Sequence, residues 1–214
     1  MSAPILITGV GKRVGLYLAR TFLERGVPVI GTFRTERQTL ESLRKAGADL
    51  YSCDFNDDAQ IARLTSAVLS KYEHLRSIVH NASDWVSESS GLEPAVMLQR
   101  MMQVHVSAPY QINLALASLL REDEGHPADI IHVGDYVGSR GSKKHIAYAA
   151  SKAAQDNLTL SFAARLAPSV KVNSIAPALL LFNEGDDDGY REKALGKSLM
   201  RREGGLDEFQ RAVD

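Results

Sequence analysis

Five consecutive residues, Tyr148-Ala149-Ala150-Ser151-Lys152, put a phenol and an ammonium four positions apart, and on a helix that spacing places both on one face. A free tyrosine ionises near pH about 10, so proton transfer at neutrality benefits from an adjacent cation that favours the phenolate left behind. Tyr-x-x-x-Lys alone is a common pattern and gains meaning only from its surroundings. Ahead of it lies His132-Val133-Gly134-Asp135-Tyr136, with the Asp135 carboxylate thirteen residues before the phenol. A carboxyl beside a phenol can accept its hydrogen bond or, if protonated, donate one, which suits chemistry at a heteroaromatic nitrogen. A helix or turn cap is the plain alternative for Asp135.

Nearer the start, Thr8-Gly9-Val10-Gly11-Lys12-Arg13-Val14-Gly15 joins an apolar run to a stretch of helical period. Glycines there let the chain turn sharply and bring backbone close to a pyrophosphate at a helix N-terminus, and Lys12 and Arg13 add positive charge that a plain turn does not need. A ligand-free turn is the alternative. After the next apolar run, where a strict NAD binder usually carries an acid for the ribose hydroxyls, this chain reads Thr32-Phe33-Arg34-Thr35. Arg34, with Thr35 and Lys12 completing a clamp, points to a 2′-phosphate and hence to NADPH; a solvated surface arginine is the rival reading. Asp54, just past the third apolar run, is placed to accept from an adenine amino group or to make an ordinary turn.

Elements that can carry these groups are visible in the periodicity. Short apolar runs alternate with helical segments: Ile5 to Thr8 then Val14 to Arg25, Val29 to Phe33 then Gln38 to Ala46, Leu50 to Cys53 then Ile61 to Tyr72. The pattern continues with Ser77 to His80 and a long helix from about Pro94 to Leu120, Asp129 to Val133 and a helix from Ile146 to Leu166, and ends on Val170 to Ala176. Repeated βα units predict an α/β fold, a Rossmann-type doubly wound parallel sheet in three layers. No linker or internal repeat divides residues 1–214, which are expected to form one domain. Past Ala176 the pattern changes, and residues 178–200, with acidic Glu184 to Asp188, read as a mobile flap over the substrate.

Composition narrows the partners. With 24% charged residues and a net charge of -1, the chain shows no electrostatic footprint for nucleic acid or an anionic membrane. No stretch approaches the roughly 18 apolar residues of a membrane span, and Met1 to Thr8 lacks the basic start of a signal peptide, so a cytoplasmic protein acting on a small molecule is expected. No metal is expected. The single cysteine, Cys53, excludes an internal disulfide and reads as a packed thiol rather than a reactive one.

The glycine loop, Asn81-Ala82-Ser83 after the fourth run, and Tyr148 with Lys152 after the fifth together resemble the short-chain dehydrogenase/reductase family, over Pro4 to about Met200. The resemblance implies that Tyr148 is the proton donor and that Lys152 holds the nicotinamide ribose while making the phenol more acidic. It also implies that Gly9, Gly11, Lys12, Arg13, Val14, Arg34, Thr35, Asp54, Asn81, Ala82, Ser83 and Pro177 contact the cofactor. Two departures from the family's usual pattern are informative: Asp135 stands where a serine is normal, and Arg13 where glycine is normal. Both resemble the pteridine reductases. In that branch an aromatic residue two positions after Asn-Ala-Ser covers the pterin, which implies Trp85, with Arg13, Ser83, Asp135 and Tyr148 completing the substrate site; a core tryptophan is the alternative. His105 stands where the family often has an asparagine that bends the long helix and holds a relay water. The imidazole could hold that water or be a satisfied histidine. Met101, Met102 and Val104 read as helix packing.

The expected reaction is hydride transfer from NADPH to C6 of a 7,8-dihydropterin, with a proton reaching N5 from Tyr148, Asp135 or a water they hold. Preference among dihydromonapterin, dihydrobiopterin and dihydrofolate is expected to depend on Leu179 to Leu195. The rivals are a carbonyl reductase of the same family and a non-catalytic NADP(H)-binding regulator. The family's closing strand, near an Asp-Gly-Gly turn, has no counterpart before Asp214, so the sheet is expected to lack it, and the resemblance implies a homo-oligomer, usually a tetramer.

Overall fold

Successive side chains of a strand point to opposite sides, so a run that is apolar throughout must be covered on both. The computed structural model describes residues 3–122, 125 and 127–214, and in it the apolar runs form six strands. They are β1 (Ile5–Ile7), β2 (Val29–Phe33), β3 (Asp49–Ser52), β4 (Ser77–His80), β5 (Ala128–Val133) and β6 (Val170–Ile175). All neighbours are parallel, in the order β3-β2-β1-β4-β5-β6. The connecting helices are α1 (Arg13–Glu24), α2 (Gln38–Lys45), α3 (Asp58–Lys71), α4 (Pro94–Met102), α5 (Ala108–Leu116), α6 (Val137–Arg140) and α7 (Ile146–Leu166), followed by α8 (Asp188–Lys197) and α9 (Leu206–Val213). Met1 and Ser2, where the reading of the N-terminus begins, lie outside the described residues.

Two cores sandwich the sheet. Leu6, Ile30, Ile78 and Ile130 pack with Ile61 of α3, Ile112 of α5 and Phe162 of α7. The alternate residues Ile5, Ile7, Val29, Val79 and Ile131 pack with Leu18 and Phe22 of α1 and Leu40 and Leu43 of α2. Truncating any of these to alanine typically costs about 2–5 kcal/mol. The strand order reverses between β1 and β4, whose ends align as Ile7 with Val79, so the loops after both open into one crevice at the carboxyl edge. Doubly wound sheets bind ligands in that crevice.

Three departures from the periodicity bear on function. The long helix is broken by a five-residue π turn, Gln103–Ser107, between α4 and α5. Inside the segment expected to be a mobile flap stands a helix, α8, which Asp187 caps by accepting from the Tyr190 N–H at 2.8 Å; the acidic run, read as solvated, serves a helix start. The last residues form α9, which sends Phe209 and Val213 into the core beside α1. β6 pairs only with β5, and among the described residues the sheet has no seventh strand. No helix among them is long and apolar enough to cross a membrane.

Under the α3, α5 and α7 layer runs a chain of buried polar groups. Thr159 Oγ1 donates to the Gln155 carbonyl at 3.0 Å and therefore accepts from His132 Nδ1, 2.7 Å away. His132 Nε2 is then an acceptor for Asn113 Nδ2 at 3.3 Å, and Asn113 Oδ1 takes the proton of His80 Nε2 at 2.7 Å. Both rings are neutral with these bonds made. Burial pulls the pKa of His80 down to about 4, and burial with the nearby His80 and Lys152 pulls His132 lower still. Unfolded, both protonate near about 6.5. Their contribution to stability is therefore complete above that pH and is lost as pH falls toward about 4, by roughly 3 kcal/mol for His80 alone. The thermal midpoint should drop steadily on acidification from neutrality, and less steeply in His80→Gln, whose amide still donates to Asn113; a midpoint indifferent to pH across that range contradicts the neutral network.

Candidate active site

α7 begins with His145 at its N-cap, which makes no side-chain cap. Glu88, from the loop after β4, supplies one: its Oε1 accepts from the Ile146 and Ala147 N–H groups at 2.5 and 3.0 Å. That contact seats the first turn of α7, where Tyr148 is buried with its hydroxyl donating to Asp135 Oδ2 at 2.8 Å. The other carboxylate oxygen accepts from the Val137 N–H at 2.8 Å and caps α6. Capping and pairing with the phenol are thus both true of Asp135, one per oxygen. Its loop is fixed by Gly134 N–H to the Ile175 carbonyl at 2.8 Å and Tyr136 N–H to the Pro177 carbonyl at 3.3 Å, which ties Pro177 to the same loop.

Lys152 is buried one turn along α7, its Nζ 5.8 Å from the Tyr148 ring centre. It donates to the Val133 carbonyl at 2.8 Å and to Gln155 Oε1 at 3.2 Å. Burial lowers its pKa to about 8, against the opposing pull of Asp135 and Asp156. The dominant influences on the phenol run opposite to the expected acidification. Burial first, then the charge of Asp135 and the bond to it, push Tyr148 well above its ordinary value. Tyr148 is held as a neutral phenol.

At the nucleotide end, Asn81 and Ala82 brace the glycine loop. Asn81 Nδ2 donates to the Thr8 and Gly9 carbonyls at 2.9 and 3.2 Å, and Thr8 Oγ1 accepts from the Asn81 and Ala82 N–H groups at 2.9 Å. Gly15 cannot be replaced here without movement, since a Cβ would lie 2.2 Å from the Gly9 carbonyl oxygen. α1 starts with no side-chain cap and no acidic residue in its first turn, and with Lys12 and Arg13 at its tip. Its leading N–H groups, which have no helical partner, fit an anion. Arg13 holds a left-handed φ of 51° and reaches across to the segment after β6, donating to the Asn183 side chain and to the Leu181 carbonyl at 3.5 Å. Val14 packs half-buried against the α1-side core.

Arg34 and Thr35 are exposed at the end of β2, and Arg34 lies 3.3 Å from Asp84 Oδ2, an oxygen also bound by Arg100 Nε at 2.7 Å. Arg37, which sequence reasoning passed over, runs along Gly11, where a Cβ would sit 3.5 Å from its Cδ. Asp54 makes a local turn, its Oδ1 accepting from the Asn56 backbone and amide at 3.0 Å. Trp85 is 63% exposed, which excludes the core reading, and its ring lies against His145 with centres 4.1 Å apart. Ser83 is exposed beside Tyr148, with its hydroxyl 2.8 Å from His105 Nε2. Burial and the charges of Asp54 and Asp57 raise the Cys53 thiol to about 12, so it is an inert, packed group. Glu88 and Arg100 also escaped sequence reasoning, because their partners lie 58 and 16 residues away and leave no local pattern.

The family model for short chain dehydrogenases matches residues 3–184. The dihydromonapterin reductase of Klebsiella pneumoniae subsp. pneumoniae is 54% identical over 212 residues, covering 99% of this chain and 88% of that protein. The protein of the same name from Escherichia coli O1:K1 / APEC is 52% identical over 214 residues, 100% of this chain and 89% of the relative. Among solved structures, FolM alternative dihydrofolate reductase 1 from Brucella canis, complexed with NADP, superposes with a TM-score of 0.86 at 24% identity, covering 99% of this chain and 86% of that one. The RhlG/NADP complex of Pseudomonas aeruginosa gives a TM-score of 0.87 at 25% identity, over 100% and 88%. With a matching model that spans most of its length and relatives above half identity across nearly all of it, the chain belongs to the short-chain dehydrogenase family.

Proposed function

We propose that the chain is an NADPH-dependent reductase of 7,8-dihydropterins, converting 7,8-dihydromonapterin to tetrahydromonapterin and turning over dihydrofolate weakly. The observation that carries this reading is the 2.8 Å hydrogen bond between Tyr148 and Asp135. It is supported by relatives above half identity that are named dihydromonapterin reductase and by the structural likeness to an alternative dihydrofolate reductase.

The residues present fit NADPH. The uncapped, basic start of α1 suits a pyrophosphate, the braced Gly9–Gly15 turn allows close backbone approach, and Lys12, Arg34, Thr35 and Arg37 supply cations and a hydroxyl for a 2′-phosphate. Gly11, Val14, Asn81, Ala82, Ser83, Pro177 and Lys152 would complete the site, and Asp54 contributes through its turn. When bound, NADPH supplies the hydride that C6 of the pterin receives.

Tyr148 and Asp135 act as one unit, because the phenol's proton is committed to the carboxylate. Taken together they carry a single negative charge, and a proton picked up from solvent is shared over two neighbouring oxygens. Releasing it to N5 returns the unit to a charge state already stabilised by the Val137 N–H and the Lys152 ammonium. Trp85, exposed at the cleft, offers an indole face to a flat ring, and Ser83 and Arg13 flank the same space. Residues 178–200 form the substrate flap, latched by Arg13. Exposed Val96, Leu98, Tyr110, Leu114 and Leu160 on α4, α5 and α7 suit docking of further copies into a homotetramer of a cytoplasmic enzyme built as one domain.

NADPH consumption measured with dihydromonapterin, dihydrofolate and a panel of carbonyls tests the reading. Turnover should be fastest with dihydromonapterin; activity confined to carbonyls, or to no substrate at all, overturns it. Asp135→Ser should lower dihydropterin turnover at least about tenfold, roughly 1.4 kcal/mol of transition-state stabilisation, and unchanged turnover removes the carboxylate from the mechanism. Arg34→Ala should weaken NADPH at least about tenfold while leaving NADH binding nearly untouched, measured by titrating cofactor fluorescence.

A further inference from the structure

His105 stands against the reacting pair, yet the reaction above makes no use of it. It is fully buried in the π turn between α4 and α5, edge-on to the Tyr148 ring with centres 5.4 Å apart. Such turns recur at functional sites because the extra residue pushes a side chain out of helical register. Both ring nitrogens have partners: Nδ1 lies 2.8 Å from Ser151 Oγ, and Nε2 lies 2.8 Å from Ser83 Oγ and 3.3 Å from the Asp84 backbone nitrogen.

Two independent contacts fix the tautomer. A backbone N–H can only donate, so Asp84 requires a bare Nε2. Ser151 donates its own proton to the Tyr148 carbonyl at 2.7 Å and so must accept from the ring, which requires a proton on Nδ1. Burial and the charge of Lys152 keep the ring neutral. Ser83 therefore gives its one proton to Nε2, and its oxygen meets the cleft with lone pairs alone. The line from Ser83 through His105 and Ser151 ends on a main-chain carbonyl, which has no proton to pass on. It cannot relay protons, and it can brace.

We propose that His105 is a positioning residue that turns Ser83 into an obligate hydrogen-bond acceptor toward the substrate, so that the site selects a ligand presenting an N–H donor beside Tyr148. Dihydropterins carry ring N–H and amino donors, whereas a simple carbonyl substrate offers Ser83 only another acceptor and is repelled. The identity of the ligand rests on the proposed function; the tautomer and the polarity of Ser83 do not.

His105→Asn keeps an amide near the Nδ1 position and leaves Ser83 and Asp84 without their acceptor, whereas the longer His105→Gln returns an oxygen to the Nε2 position. Loss of one neutral hydrogen bond predicts a KM for dihydromonapterin raised about tenfold in His105→Asn and in the exposed Ser83→Ala alike, with kcat changing less. The double variant should be no worse than either single one, and His105→Gln should recover most of the loss. Additive losses, or a glutamine variant no better than asparagine, overturn the proposal. Nitrogen-15 NMR of the unmutated protein with labelled histidine gives a readout free of substrate. A protonated Nδ1 and bare Nε2 at His105 are expected through neutral pH, and the opposite tautomer overturns the proposal even if pterins are reduced. Absence of pterin turnover with the expected tautomer would instead count against the proposed function alone.

Discussion

Everything distinctive in this crevice depends on one hydrogen bond, from the Tyr148 hydroxyl to Asp135 Oδ2. Its two ends come from different elements, a loop after β5 and the first turn of α7, so its geometry is only as good as what fixes each. The acid's loop is pinned to the end of β6 through Gly134 and Tyr136, and the phenol's helix is seated by Glu88. α6 then lies close on α7 at Gly138, where a Cβ would stand 3.2 Å from the Ala153 nitrogen. Sheet pairing, a remote cap and one small residue therefore set a distance that a long flexible side chain could not hold by itself.

α7 shows how the fold accommodates so much polarity next to its core. Tyr148, Ser151, Lys152, Gln155 and Thr159 are buried and, with Ser151 and Lys152 side by side, recur every three or four residues along one face, a polar stripe where an ordinary helix would present leucines. Each is matched: Ser151 by His105, Lys152 by Gln155 and Val133, Thr159 by His132. Among the described residues no buried side-chain donor or acceptor lacks a partner. A stripe of this kind destabilises any arrangement in which it is only half satisfied, so it selects one register of α7 against β5 and the π turn.

The sheet and its helices were legible because strands covered on both faces read as uninterrupted apolar runs, with helical period between them. Spacing put Tyr148 and Lys152 on one face of a helix, while the roles expected of them and of Asp135 came from the family resemblance. What stayed hidden was whatever depends on distant pairing. Arg13 carried a correct sense of charge at the loop but no hint of Asn183, 170 residues on. The π turn left no mark because Gln103–Ser107 has the same apolar period as its flanks, so His105 could be read equally as a water holder or a satisfied ring. Three contacts, two from the loop after β4 and one from α7, decide for the satisfied ring.

A carboxylate in place of a hydroxyl changes what the pair can do. A hydroxyl at that position would be neutral in every state, leaving proton transfer from Tyr148 to create a phenolate that only Lys152 stabilises, while burial lowers that lysine's own pKa to about 8. Asp135 opposes the phenolate outright by its charge and its bond. The two effects point the same way: the phenol is a poor independent acid here, and in the proposed reaction the proton delivered is one the pair has shared. Hydride arriving at the carbon of a C=N bond leaves its electron pair on the nitrogen, which becomes strongly basic only at that moment, so the N5 of the proposed pterin substrate can take the proton that the pair shares.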